Sequence, residues 1–155
     1  MIVTTLNNIW DLQFHYWIVI PTNVGWKSSG ENVMGAGLAL QAAVKYPQLP
    51  YIYGQCCKRR DTSNLMIYPP EGLIMFPVKP LNYQFPHLSW QGDASIDMII
   101  ESCIQLNRTK LSDNRSIALP LVGCGNGRLK KEDVMPVLHR HLDHRFILVL
   151  QENQC

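Results

Sequence analysis

IALPLVGCGNGRL, residues 117–129, is the stretch that decides the fold. Its first five residues, Ile117 to Leu121, make a short continuous apolar run, the pattern of a strand covered on both faces, and such strands are usually parallel. Glycines at 123, 125 and 127 follow, and then a helical pattern from Glu132 to His141. A strand that runs through a glycine-bearing loop towards a helix is an α/β unit. Its loop falls at the carboxyl end of the strand, the edge at which open α/β sheets bind ligands.

Working outward, Trp17 to Ile20 and Phe146 to Leu150 repeat the buried-strand pattern. Helical patterns lie between. Gly37 to Tyr46 is stopped by Pro47; Ser95 to about Asn107 has a Ser95 cap and an apolar face of Ile96, Ile99, Ile100, Cys103 and Ile104. Pro136 predicts an irregular first turn for the last helix, because proline lacks a backbone donor and is tolerated only early. Asn64 to Tyr68, the turn Pro69-Pro70-Glu71-Gly72 and Leu73 to Phe76 read as two strands around a tight turn. This alternation predicts a three-layer α/β/α domain with a mixed, mainly parallel central sheet.

With 155 residues, 46% hydrophobic and 17% charged, the chain reads as one domain over 1–155, able to bury a core without disulfides or metal. The five cysteines, at 56, 57, 103, 124 and 155, form neither a disulfide framework nor a zinc ribbon and suit a reducing compartment. The first residues lack a basic, apolar leader pattern, and no run has the length of a membrane span. The expectation is a cytoplasmic monomer with no membrane partner. A net charge of +2 permits nucleic acid as a partner without demanding it.

A second glycine-bearing stretch, Met34 to Leu40 (MGAGLAL), opens the first helix. Helix N-termini carry unpaired amides and the positive end of the dipole, and glycine lets backbone approach phosphate oxygens. Two such loops at one sheet edge point to a diphosphate ligand. Neither has the spacing of a nucleotide phosphate loop or of a G-x-G-x-x-G dinucleotide turn, so kinase, ATPase and ordinary dehydrogenase readings lose support. GLIMFPVKP, residues 72–80, delivers Lys79 to the end of an apolar strand. Partial desolvation there favours a neutral amine.

Thr22-Asn23, MGAGLALQ, Tyr46-Pro47 and ALPLVGCGNGRL together resemble the macrodomain, an ADP-ribose-binding family, over most of the chain. FPVK at 76–79 resembles the F-P-T-K segment of the DarG-type DNA ADP-ribosyl glycohydrolases, and the terminal ADP-ribose glycohydrolase carries a comparable lysine. The resemblance implies a hydrolase that removes ADP-ribose from a DNA base or protein, with Lys79 catalytic at the distal ribose. It implies that Asn23 touches that ribose and that Ile9 packs the adenine. The pyrophosphate would lie on Met34, Gly35, Ala36, Gly37 and Leu38 and on Val122, Gly123, Cys124, Gly125, Asn126 and Gly127. No metal and no cofactor are implied. GAGLALQAAVKYP also resembles the yeast-type phosphatases acting on ADP-ribose 1''-phosphate, which lack the F-P-x-K lysine, and a non-catalytic ADP-ribose reader is the third reading.

The chain departs from the family in three places. Asn126 stands where human-type relatives have an aspartate, as in the DarG type. The loops from Asn23 to Met34 and from Lys79 to Ser95 are long and would border the acceptor side. His139, His141 and His144 read as a dipole-complementing helix end rather than a metal site, and Cys124 as a small buried thiol rather than a nucleophile. Lys58, Arg59, Arg60, Arg128, Lys130 and Lys131 read equally as a nucleic-acid edge or a solvated face, and Trp26 and Trp90 as stacking groups or loop anchors.

Overall fold

The computed structural model describes residues 1–59 and 64–154. Arg60 and Cys155, named above, lie outside that range. Six strands, β1 (Ile2–Thr5), β2 (Trp17–Asn23), β3 (Met66–Tyr68), β4 (Leu73–Lys79), β5 (Ile117–Pro120) and β6 (Phe146–Leu150), form one sheet in the order β1-β6-β5-β2-β4-β3. All neighbouring pairs are parallel except β3 and β4, which turn back through a short 3-10 segment at Pro69–Glu71. The sheet is therefore mixed and mainly parallel.

Alternation along the strands divides the core into two layers. Trp17 and Val19 of β2 with Ile74, Phe76 and Val78 of β4 face one side. There they meet Ile99, Cys103 and Leu106 of α3 (Ile96–Arg108) and Val134 and Leu138 of α4 (Lys131–His141). Ile18, Ile20, Leu73 and Met75 face the other, against Ala42 of α1 (Gly37–Lys45) and Leu49, Tyr53 and Cys57 of α2 (Leu49–Arg59). Seven consecutive residues of β4 are buried, Lys79 included. A central strand with helices on both faces has no water-facing side, which is why its apolar run shows no alternation.

Ser95 caps α3 as its sequence predicts, its hydroxyl accepting from the amide of Met98 at 3.2 Å. The buried stripe of α3 is turned from the predicted face: Ile99, Ser102, Cys103 and Leu106 are covered, while Ile100 and Ile104 are half-buried. Ser102 belongs on the covered stripe because its hydroxyl donates to the carbonyl of Pro77 at 2.7 Å, satisfying both groups in the core. In α4, Pro136 sits beyond the first turn without interrupting the helix. The first turn is tightened, the amide of Asp133 donating to the carbonyl of Lys130 three residues back.

Two elements stand outside the sequence reading. β1 is exposed along its length at the sheet edge, so nothing in its residues alternates. α2 is masked by Pro50 and Gly54. Gly54 is required there: a Cβ would stand 2.0 Å from the carbonyl of Gly30, so the 24–33 loop packs directly onto the helix backbone. No described helix is long and apolar enough to cross a membrane.

Candidate functional site

The carboxyl ends of β2, β4 and β5 and the segment that opens α1 enclose a cleft of ≈ 1110 Å³. Strand β2 delivers Thr22 and Asn23, β4 delivers Val78 and Lys79, and β5 leads through Pro120 and Leu121 into the second glycine loop. The first loop lines the cleft with Gly35, Ala36, Gly37 and Leu38, the second with Gly123, Gly125, Asn126 and Gly127. A methyl group at Gly37 would stand 3.7 Å from Asn126 Nδ2, so the loops face each other closely. Ile9 stands in a further wall made by Leu6 to Trp10.

Helix α1 begins without a side-chain cap and without an acidic residue in its first turn. Its first α-helical bond runs from the amide of Leu40 to the carbonyl of Ala36, at 3.1 Å. The amides of Gly37, Leu38 and Ala39 thus have no helical acceptor, and all three residues line the cleft. The lining also carries two cations, Lys79 and Arg128, and among the described residues no carboxylate. Orphan amides, a dipole's positive end and two cations together suit an anionic ligand.

Lys79 reaches this place through a slip in the sheet. Strands β2 and β4 pair in regular register from Ile18 with Leu73 to Thr22 with Pro77, and then Asn23 pairs with Lys79, leaving Val78 as the extra residue. Helix α3 fastens the slip, since the amide of Ser95 donates to the carbonyl of Val78 at 2.9 Å and Ser102 holds that of Pro77. Lys79 is 9% exposed, and its Nζ donates to the carbonyl of Trp90 at 2.6 Å. Burial lowers its pKa from the ordinary value of 10.5; the Arg128 guanidinium lowers it further, and Asp93 acts in the opposite direction.

Asn23 lines the cleft, but its amide is largely committed to the 24–33 loop. Nδ2 donates to the carbonyl of Val33 at 2.8 Å, and Oδ1 accepts from the amide of Gly25 and from Asn32 Nδ2, both at 3.0 Å. The long loop is thereby braced from the strand end. Among the described residues, only one hydrogen of Nδ2 is left for a ligand.

Three of the expected site residues do not line the cleft. Met34 and Val122 are buried in the two core layers. Cys124 lines a separate shallow hollow beside α4, its thiol near the carbonyl of Val122. Burial and the nearby Glu132 and Asp133 carboxylates raise that thiol's pKa, which disfavours a thiolate nucleophile. Of Lys58, Arg59, Arg128, Lys130 and Lys131, Arg128 alone lines the cleft. Lys131 is tied to the carbonyl of Gln154. Trp90 borders the site, whereas Trp26 packs against the α1–α2 core layer. The described residues contain no group of three or more metal-ligating side chains, and His139, His141 and His144 are not brought into one.

Sequence reasoning missed Asn8, Trp10, Gln41, Gln91, Gln151 and Gln154 as lining residues. Trp10 and Gln41 signal themselves only in three dimensions, where the indole Nε1 donates to Gln41 Oε1 at 2.8 Å. Arg128 is marked by its backbone in the structure. It adopts φ 63°, a left-handed conformation that suits glycine, at the exit of a glycine-rich loop.

The fold is the macrodomain fold. The chain is 34% identical over 105 residues to a protein of Mycobacterium tuberculosis named DNA ADP-ribosyl glycohydrolase, a match covering 66% of this chain and 30% of that one. It is also similar to the structure of the macrodomain of Mycobacterium tuberculosis DarG, with TM-score 0.65 and 25% identity over 97% of each chain. The structure of Thermosipho africanus DarTG in complex with ADP-ribose superposes with TM-score 0.67 and 19% identity, covering 89% of this chain and 38% of that one. No protein-family model matches the chain. The chain is similar to the DarG-type macrodomains in fold and, over part of its length, in sequence. It spans about a third of the length of the curated relatives that it matches.

Proposed function

We propose that the cleft binds ADP-ribose and that the protein is an ADP-ribosyl glycohydrolase, removing ADP-ribose from a modified acceptor with Lys79 as its catalytic group. The observation that carries this reading is the position of Lys79: a buried amine with a lowered pKa, at a register slip, in a cleft whose other walls offer orphan amides and, among the described residues, no carboxylate. The relative's name, DNA ADP-ribosyl glycohydrolase, and the ADP-ribose held by the Thermosipho africanus structure support it.

The two glycine loops hold the diphosphate, the amides at the start of α1 meeting its oxygens. Ile9 and Trp10 cover the adenine end. This sets the distal ribose at the ends of β2 and β4, with C1 near Lys79. The neutral amine of Lys79 adds to C1 as the bond to the acceptor breaks, and the acceptor leaves with a proton. Water then replaces the amine, giving ADP-ribose and free Lys79. Asn126 has no proton to exchange at neutral pH, so water and Lys79 itself carry the transfers.

Incubation with ADP-ribosylated thymidine DNA, with ADP-ribosylated protein and with ADP-ribose 1''-phosphate tests the reading. Release of free ADP-ribose from either glycosidic substrate, and not from the phosphate, is the expected outcome. Turnover of the phosphate alone would make the protein a phosphatase; binding without turnover would make it a reader.

A further inference from the structure

The two cations of the cleft hold adjacent carbonyls of one segment. Lys79 Nζ donates to the carbonyl of Trp90 at 2.6 Å, and Arg128 Nη2 donates to the carbonyl of Gln91 at 2.7 Å. The same guanidinium pairs through Nε with Asp93 Oδ1. At the next residue, the amide of Ala94 donates to the carbonyl of Gly127 at 2.9 Å, and a Cβ at Gly127 would stand 2.7 Å from that of Ala94. The strap from Pro80 to Asp93 is thus stapled to the second glycine loop at one end. At the other it continues directly from Lys79.

We propose that Arg128 is a positioning residue for Lys79: by gripping Gln91 and Asp93 it fixes the strap whose neighbouring carbonyl, that of Trp90, sets where the Lys79 amine stands. The inference rests on the proposed glycohydrolase reading for its kinetic consequence. Its geometric part is independent of it. A planar guanidinium can hold a carbonyl and a carboxylate in fixed directions at once, which an ammonium on a flexible stem does not do. The left-handed backbone at Arg128 turns the side chain out of the loop towards the strap, a conformation few residues other than glycine and asparagine adopt readily.

Arg128 also acts on Lys79 by charge. The charged groups acting on the amine are Arg128 from the glycine loop and Asp93 from the strap's end; β2 offers the neutral Asn23 and the α1 loop offers backbone. Arg128 favours the neutral amine, and its pairing with Asp93 offsets the opposite pull of that carboxylate. Loss of the guanidinium therefore moves the titration of Lys79 to higher pH on both counts.

The test compares wild type with Arg128→Asn, which tolerates the left-handed backbone, and Arg128→Lys, which keeps the charge without the fork. The pH dependence of Lys79 acylation by an amine-reactive reagent, read by mass spectrometry, reports the amine without any substrate. Arg128→Asn should shift the midpoint upward; Arg128→Lys should leave it near wild type. Both should lower kcat on the ADP-ribosylated substrate by roughly tenfold to a hundredfold, a fall that exceeds any accompanying rise in Kd for ADP-ribose. An unshifted midpoint with unchanged kcat in Arg128→Asn would overturn the inference. So would a rise in Kd matching the loss of kcat/KM, which would make Arg128 a ligand contact. If Lys79→Ala proved fully active, the glycohydrolase reading would fail while the acylation midpoint still judged Arg128.

Discussion

Asn23 and Lys79 stand side by side at the ends of β2 and β4 only because the pairing slips by one residue after Thr22. In regular register Asn23 would face Val78. The slip brings together the group that braces the long loop and the buried amine. Asn23→Ala removes the acceptor of the Gly25 amide and one acceptor of Asn32, both buried. It should cost about 1–3 kcal/mol of stability, seen as a lower denaturant midpoint at unchanged slope. An unchanged midpoint would mean that the loop is held without this brace.

Two glycines of the second loop should respond oppositely to a side chain. A Cβ at Gly125 meets nothing within 4 Å, while one at Gly127 would stand 2.4 Å from the carbonyl of Gly123. Gly125→Glu should keep the wild-type melting temperature and lose the stabilisation that millimolar ADP-ribose gives by mass action. Its carboxylate would occupy the phosphate position. Gly127→Ala should melt several degrees lower without ligand, a shift consistent with about 1–3 kcal/mol of overpacking.

The lowered pKa of Lys79 makes the folded protein bind fewer protons than the unfolded chain, in the window between the folded pKa and 10.5. Stability from this group therefore rises with pH across that window, and below it the buried ammonium is a standing cost. Lys79→Met removes that cost. The variant should melt above wild type at neutral pH, and the gap should close as pH approaches 10.5. A gap that widened with pH would contradict the assigned direction.

If the acceptor is nucleic acid, the site offers few charges to it. Lys58, Arg59, Lys130 and Lys131 do not line the cleft, which leaves Arg128 and Lys79. The logarithm of the binding constant for a catalytically dead variant on ADP-ribosylated single-stranded DNA should fall with log salt at a slope no steeper than about −1.5. A slope near −4 would require a basic track outside the cleft.

The sheet and the glycine loops were legible because strands covered on both faces and helix-opening glycines leave marks along the chain. The Phe76 to Lys79 segment announced a lysine at a strand end, and it is there. What the chain conceals is contact between distant residues. Helix α2 spaces Leu49, Tyr53 and Cys57 at helical intervals but carries Pro50 and Gly54, the glycine because a loop lies on it, and β1 is exposed without alternation. Arg128 read as one basic residue among six, and only the fold joins it to Gln91 and Asp93. Cys124, Met34 and Val122 were carried into the site by their loops, where backbone approach and side-chain direction are separate matters.

Single-turnover release of ADP-ribose by Lys79→Ala, with ADP-ribose affinity measured on the same preparation, tests the central claim most directly. The account predicts a fall in rate on the order of 10²–10⁴ with affinity changed by less than about threefold, and no rescue by Lys79→Arg, whose guanidinium cannot become a neutral amine. Release at the wild-type rate by Lys79→Ala would contradict it.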